Sequence, residues 1–251
     1  DYESAAIYKW RKKRKKAFVL FICIVGICFL VTRMVRVEDK TTVKVHNMHT
    51  EQNEKAIRYV ASNMIKEDPK IAITFDDGPS PAWTPQLLDG LKERNVKATF
   101  FLIGENAKNN PELVKREAEE GHLIGNHTYH HVEITRVPDE TAQEEILMTN
   151  EVITGITGEE VSYMRPPFGV WQKNLERKLD VMPVLWTIDP LDWTTDNEDE
   201  IINKVVTQAG EDDIILLHDC YKSSVEAALR IVDLLKAEGF EFVTVDKLIL
   251  E

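Results

Sequence analysis

The apolar positions of this chain change their period several times, and those changes divide it into segments. Ala17 to Thr32 is a run of sixteen residues without a charge. Further on, Ile57, Val60, Ala61, Met64 and Ile65 recur at helical spacing, which predicts an amphipathic helix that stops before Pro69. From Lys70 onward, short apolar runs alternate with longer amphipathic stretches. The runs cover residues 70–75, 97–103, 122–125, 162–165, 181–188, 213–217 and 240–245 and read as strands. The stretches Pro81–Arg94, Pro111–Glu120, Asp139–Thr154, Glu198–Ala209 and Ser223–Glu238 read as helices. Strand–helix alternation predicts a parallel sheet with crossover helices, and strands apolar nearly throughout are those covered on both faces.

Local patterning leaves two α/β architectures open, an open doubly wound sheet and a closed barrel. The polar exceptions separate them. Asp76 and Asp77 follow the first strand, His127 the third, and Arg165 ends the fourth. Asp189 and Asp192 follow the fifth, and His218 ends the sixth. All lie at the C-terminal ends of strands, the edge on which parallel-sheet enzymes place their chemistry. An open sheet concentrates chemistry at one switch point, so five contributing strands favour a deformed (β/α) barrel of about seven parallel strands.

Charge divides the chain at about residue 37. Residues 1–37 carry nine Lys/Arg against two Asp/Glu, and residues 38–251 carry 22 against 41. So acidic a body lacks the Lys/Arg clusters that phosphate backbones require, and nucleic acid is excluded as a partner. The basic residues Lys9 to Lys16 lead directly into the apolar run, which Arg33 closes. Sixteen helical residues span roughly 24 Å, a little under a bilayer core of about 30 Å, and Trp10, Lys16 and Arg33 can anchor the ends. No small-x-small cleavage pattern follows it. The expectation is an uncleaved signal anchor: residues 1–16 in the cytoplasm, 17–32 across the membrane, a linker over 33–69 containing the amphipathic helix, and a catalytic domain over 70–251 outside the cell. Cys220 is the single cysteine beyond the apolar run, so no disulfide can form within the body, and a partly buried free thiol is expected.

The adjacent carboxylates of Ile73-Thr74-Phe75-Asp76-Asp77-Gly78-Pro79 end an apolar strand, where such a pair requires a cation or a shared proton. By itself the segment reads as a turn. Three of the seven histidines in the chain lie within five residues, in His127-Thr128-Tyr129-His130-His131. On one helical turn His127 and His131 share a face, with His130 a rival for the second place. Two imidazoles and the Asp77 carboxylate make an open tetrahedral site for zinc or a similar divalent cation such as cobalt. Hydrolysis there also requires a base and an acid. Asp76, beside a ligand, suits the base and Arg165 can hold it ionised. His218 suits the acid, with Asp192 fixing its tautomer.

Five segments in order carry a resemblance across about residues 70–250. They are Thr74-Phe75-Asp76-Asp77-Gly78-Pro79, His127-Thr128-Tyr129-His130-His131, Arg165-Pro166-Pro167-Phe168-Gly169, Asp189-Pro190-Leu191-Asp192-Trp193 and Leu216-Leu217-His218-Asp219. The chain resembles the NodB-homology polysaccharide deacetylases, carbohydrate esterase family 4. The resemblance implies Asp76 as base, Asp77, His127 and His131 as metal ligands, and Arg165 as the residue that orients Asp76. It implies that the Phe168 backbone N–H helps bind the oxyanion. Asp192 would tune His218, the acid, while Trp193 and Leu216 would wall the acetyl pocket. Phe168 stands where many relatives have Tyr, and His130 where a small residue is usual. The implied substrate is a cell-wall glycan, peptidoglycan N-acetylglucosamine first. The alternatives are chitooligosaccharide, acetylated xylan, or a wall-binding module without catalysis.

Overall fold

Lys70–Asp76 forms the central strand, β1, and its alternation sorts the interior into two layers. The computed structural model describes residues 68–172, 175 and 179–250. The expected anchor over 17–32 and the helix over 57–65 lie outside the described residues. Among the described residues no helix is long and apolar enough to cross a membrane. Ile71, Ile73 and Phe75 point to the outer layer, packed with Leu87, Leu88 and Leu91 of helix α1 (Thr84–Glu93) and with Ile231, Val232 and Leu235 of helix α6 (Lys222–Ala237). Full burial of such side chains contributes about 1.5–3 kcal/mol each. Ala72 points the other way, into a smaller inner core with Phe101, Tyr163 and Val184. Val245 and Leu248 of the last helix, α7 (Val245–Leu250), complete that inner core.

Six strands follow one path, β5-β4-β3-β2-β1-β6, and β7 (Glu241–Phe242) pairs with the start of β1. The others are β2 (Thr99–Leu102), β3 (Leu123–Asn126), β4 (Tyr163–Met164), β5 (Met182–Pro183) and β6 (Ile214–His218). Every pairing is parallel. Between the strands, β2 leads into α2 (Gly104–Asn109) and α3 (Pro111–Glu119), β3 into α4 (Asp139–Thr157), and the crossover to β6 carries α5 (Glu198–Val206).

The sheet curls into a half-barrel. The run expected as one strand over 181–188 instead crosses between its two edges. Val184 N–H donates to Met164 O (2.8 Å), whereas the Thr187 and Ile188 N–H groups donate to Ile214 O (2.9 and 3.1 Å). Pro183, which has no N–H to extend the ladder, ends β5. Ile188 and Ile215 form a single bridge across the gap. The run expected over 240–245 likewise shortens to two strand residues before α7.

The C-terminal edge carries the site residues and most of the unusual backbone. Five of the seven non-glycine residues with positive φ among the described residues are Asp77, Thr128, His131, Phe168 and Leu191, all on that edge. Strain of this kind persists only where the surroundings over-determine it.

Candidate metal centre and active site

Asp77 leaves β1 with φ 72°, which turns its carboxylate toward the loop after β3. Its Oδ1 lies 3.4 Å from Nε2 of both His127 and His131. The three donor atoms all fall within 4.8 Å of one another. The Asp77 Oδ1 atom is buried without a hydrogen-bond partner, a costly arrangement that a cation relieves. The His127 Nδ1 lies 2.7 Å from the Arg165 carbonyl, which can only accept, so Nδ1 carries the hydrogen and Nε2 presents its lone pair to the triad. Burial, and then the neighbouring His127, push the His131 pKa down, which favours the neutral ligand form. Burial raises the Asp77 carboxyl, but contact with His127 and the charges of His127, His218 and His131 outweigh it and hold it below the ordinary value. Two imidazoles and a carboxylate with an unspent lone pair fit a divalent ion with open positions.

The two histidines meet by another route than a helical turn. Residues 127–131 form a loop in which Thr128 (φ 62°) and His131 (φ 57°) are left-handed. Asn126 Oδ1 accepts from Thr128 N–H (2.7 Å), and Thr128 Oγ1 accepts from Val132 N–H (3.1 Å). His130 turns away from the triad, its Nδ1 2.7 Å from Glu145 Oε1. Its rivalry for the ligand place ends there.

Asp76 is buried with its two oxygens facing different neighbours. Oδ1 accepts from Arg165 Nη1 (2.8 Å), and Oδ2 faces the triad, 3.8 Å from His127 Nε2. Arg165 is 0% exposed. The same Nη1 donates to Thr74 Oγ1 (2.7 Å), while Nε and Nη2 donate to the Val184 and Leu185 carbonyls (3.2 and 3.3 Å). Its guanidinium lies 4.3 Å from the Phe101 ring centroid and 5.6 Å from that of Trp186. A buried cation so fully bonded can move little, and it fixes Asp76 in turn.

His218 pairs with Asp76 in the β1–β6 register. Asp192 holds it twice, Oδ1 2.8 Å from the ring Nδ1 and Oδ2 accepting the His218 backbone N–H at 2.8 Å. Burial lowers the His218 pKa, but the Asp192 carboxylate, with Asp76 and Asp77 beyond it, lifts it to about 9. Leu216 is buried two residues earlier on the same strand face. Trp193, 55% exposed, follows Asp192, and Phe168, 63% exposed, stands edge-on to His131 at 5.1 Å. Sequence reasoning named Asp76, Asp77, His127, His131, Arg165, Asp192 and His218, and the structure brings all seven to this edge. It missed the supports Thr74, Asn126, Glu145 and Trp186, whose partners lie far away in the chain. It also missed Asp219, which accepts from the Thr84 hydroxyl beneath Gly78 and which burial and the Asp77 charge push up to about 7. Cys220 is a half-buried free thiol that burial pushes up to about 12, so it stays protonated at neutral pH.

This geometry has close counterparts. A family model described as polysaccharide deacetylase matches residues 63–184. A peptidoglycan-N-acetylglucosamine deacetylase of Bacillus cereus is 38% identical over 199 residues, 76% of this chain and 93% of that protein. The chain belongs to the polysaccharide deacetylase family. Another member, the peptidoglycan-N-acetylglucosamine deacetylase PgdA of Listeria monocytogenes, is 38% identical over 216 residues, 83% of this chain and 46% of that protein. The chain thus spans about half the length of that relative. The solved structure of the peptidoglycan deacetylase PdaC from Bacillus subtilis superposes with a TM-score of 0.71 at 38% identity, covering 72% of this chain and 90% of that one. PdaC bears the curated name peptidoglycan-N-acetylmuramic acid deacetylase. Polysaccharide deacetylases therefore share this half-barrel while their names differ in the sugar.

Proposed function

We propose that this chain is a metal-dependent hydrolase that removes N-acetyl groups from the N-acetylglucosamine residues of cell-wall peptidoglycan. The observation that carries the reading is the junction of a three-ligand triad, a clamped carboxylate and a carboxylate-held imidazole on one strand edge. A divalent ion, zinc first and cobalt as a substitute, would be held by Asp77, His127 and His131, where it acidifies water and polarises a carbonyl oxygen.

The residues of the chain do the rest. Asp76 Oδ2 takes the proton of the attacking water, its other oxygen being occupied by Arg165. As water oxygen bonds to the acetamide carbon, charge builds on the carbonyl oxygen, and the Phe168 N–H donates to it. The C–N bond then breaks, and His218, already protonated below about pH 9, gives its proton to the departing nitrogen. Acetate and a free amine result. Trp193 and Leu216 form the apolar wall for the acetyl methyl, which favours an acetyl group over a longer acyl chain.

The sequence similarity to PdaC sustains a second reading in which the acetyl group leaves N-acetylmuramic acid. The test is acetate release from purified peptidoglycan, followed by mass analysis of the digested disaccharides. Chelation should abolish release, and zinc or cobalt should restore it. Full activity of a metal-free sample would overturn the metal assignment, and deacetylated muramic acid alone would overturn the sugar assignment. The Ala17–Thr32 run supports a membrane-anchored enzyme whose acidic body acts outside the cell.

A further inference from the structure

The loop that carries His127 and His131 adopts an unfavourable backbone, and its supports are specific. Two non-glycine residues, Thr128 and His131, are left-handed. Such positions are held only by surrounding structure. From one side, Gly104 N–H and Glu105 N–H of α2 donate to the Thr128 and Tyr129 carbonyls (2.9 and 3.0 Å). From the other side a single carboxylate, Glu145 of α4, engages three groups of the loop. Its Oε2 accepts the Tyr129 and His130 backbone N–H groups (2.9 and 2.8 Å), and its Oε1 lies 2.7 Å from His130 Nδ1. Glu145 is buried, so water cannot stand in for it. Helix α4 is itself tied to the strand before the loop, where Asn126 Nδ2 donates to Ile146 O (2.8 Å) and Asn150 Oδ1 (2.7 Å).

We propose that Glu145 is a positioning residue that presets the 127–131 loop and thereby sets the affinity of the centre for its divalent ion. It touches neither donor atom. Its effect is to make the two imidazoles converge before the ion arrives, so that binding free energy is not consumed in ordering the loop. The same contacts give His130 a purpose without a ligand role: its ring supplies the third hydrogen bond of the clamp.

This inference rests on the metal site proposed above, and the experiment separates the two. Zinc and cobalt affinities of the full chain are measured by chelator competition, with the visible absorption of the cobalt form as a second readout. Wild type should bind one ion. Glu145→Ala should bind about 10–100-fold more weakly and show an altered cobalt band, the size typical of outer-shell losses. Glu145→Gln, whose amide can still accept both N–H groups, should recover most of the affinity. His130→Ala, losing one contact of three, should lose less than about fivefold. At saturating metal the turnover of Glu145→Ala should return to near the wild-type value, which a general loss of structure would not permit. If Glu145→Ala does not fold, Glu145→Asp keeps the charge while pulling it back from the loop, and it should still weaken binding at least fivefold. Wild-type affinity in Glu145→Ala, or in Glu145→Asp where that variant stands in, overturns the proposal while leaving the metal site intact. Failure of wild type itself to bind either ion overturns both.

Discussion

At the scale of single residues, the site separates two adjacent carboxylates by their partners. Asp77 faces the imidazoles with an unpartnered oxygen, and Asp76 is tied to Arg165. Asp76→Asn should therefore keep its metal and lose about 10²–10⁴-fold in turnover, the range typical of a missing general base. Metal content by atomic absorption alongside initial rates tests this, and a metal-free Asp76→Asn protein would reverse the two roles. His218 provides the pH dependence. Its pKa is lifted to about 9 chiefly by its bond to Asp192, against burial. The proposed acid acts in its protonated form, so the alkaline limb of the rate profile should belong to this group. Asp192→Asn should move that limb to lower pH. The same shift is a stability contribution: with the native pKa above the unfolded value of about 6.5, it is fully present below pH 6.5 and fades as pH rises through about 9. Denaturant midpoints of wild type and Asp192→Asn should consequently differ more at pH 6 than at pH 10. An unmoved alkaline limb would remove His218 from the proton chemistry. Asp76, Asp77 and His218 were legible in the sequence because each falls where an apolar strand ends. The pairing of Asp192 with His218, 26 residues apart, was legible only as a carboxylate and an imidazole assigned to one sheet edge, since nothing local brings them together.

At the scale of elements, the parallel order of strands and crossover helices followed from alternation, whereas the short pieces did not. Helix α2 has six residues and follows directly on β2, too short for a helical period to show. Its first residue is nonetheless critical. A Cβ on Gly104 would sit 2.5 Å from Thr149 Oγ1 and 2.6 Å from the Tyr129 ring, so α2 approaches the 127–131 loop as only glycine allows. Gly104→Ala should cost about 1–3 kcal/mol of stability, as overpacking does. Gly155, in α4 with nothing within 4 Å of its Cβ position, gives the control. Gly155→Ala should stabilise by about 0.5–1 kcal/mol through helix propensity. Urea titration of both variants measures the contrast, and equal effects would contradict the packing described. The histidine pair shows the opposite kind of limit. A helical spacing singled out His127 and His131, which the structure brings together beside Asp77, although the backbone between them is a left-handed loop. Four residues bring two rings together in either geometry, and the sequence carries no mark that distinguishes them.

At the scale of the whole molecule, the Lys/Arg cluster before Ala17 supports the proposed anchor, with residues 38–251 outside the cell. Protease added to intact protoplasts should remove the catalytic domain. Mature protein free in the medium, beginning near residue 35, would instead mean that the apolar run is cleaved. The order of strands also decides when the site is complete. Strand β1 lies between β2 and β6, and the Thr74 hydroxyl donates to the Ile215 carbonyl, 141 residues later. Asp76, Asp77, His127, His131 and Arg165 all lie before residue 166, while His218, the proposed acid, arrives with β6. A polypeptide that ends before Ile214 would carry the ligands and lack the proton donor. Under the proposed roles such a thread would be chemically silent, and amide cleavage would begin only once the penultimate strand had docked beside the first.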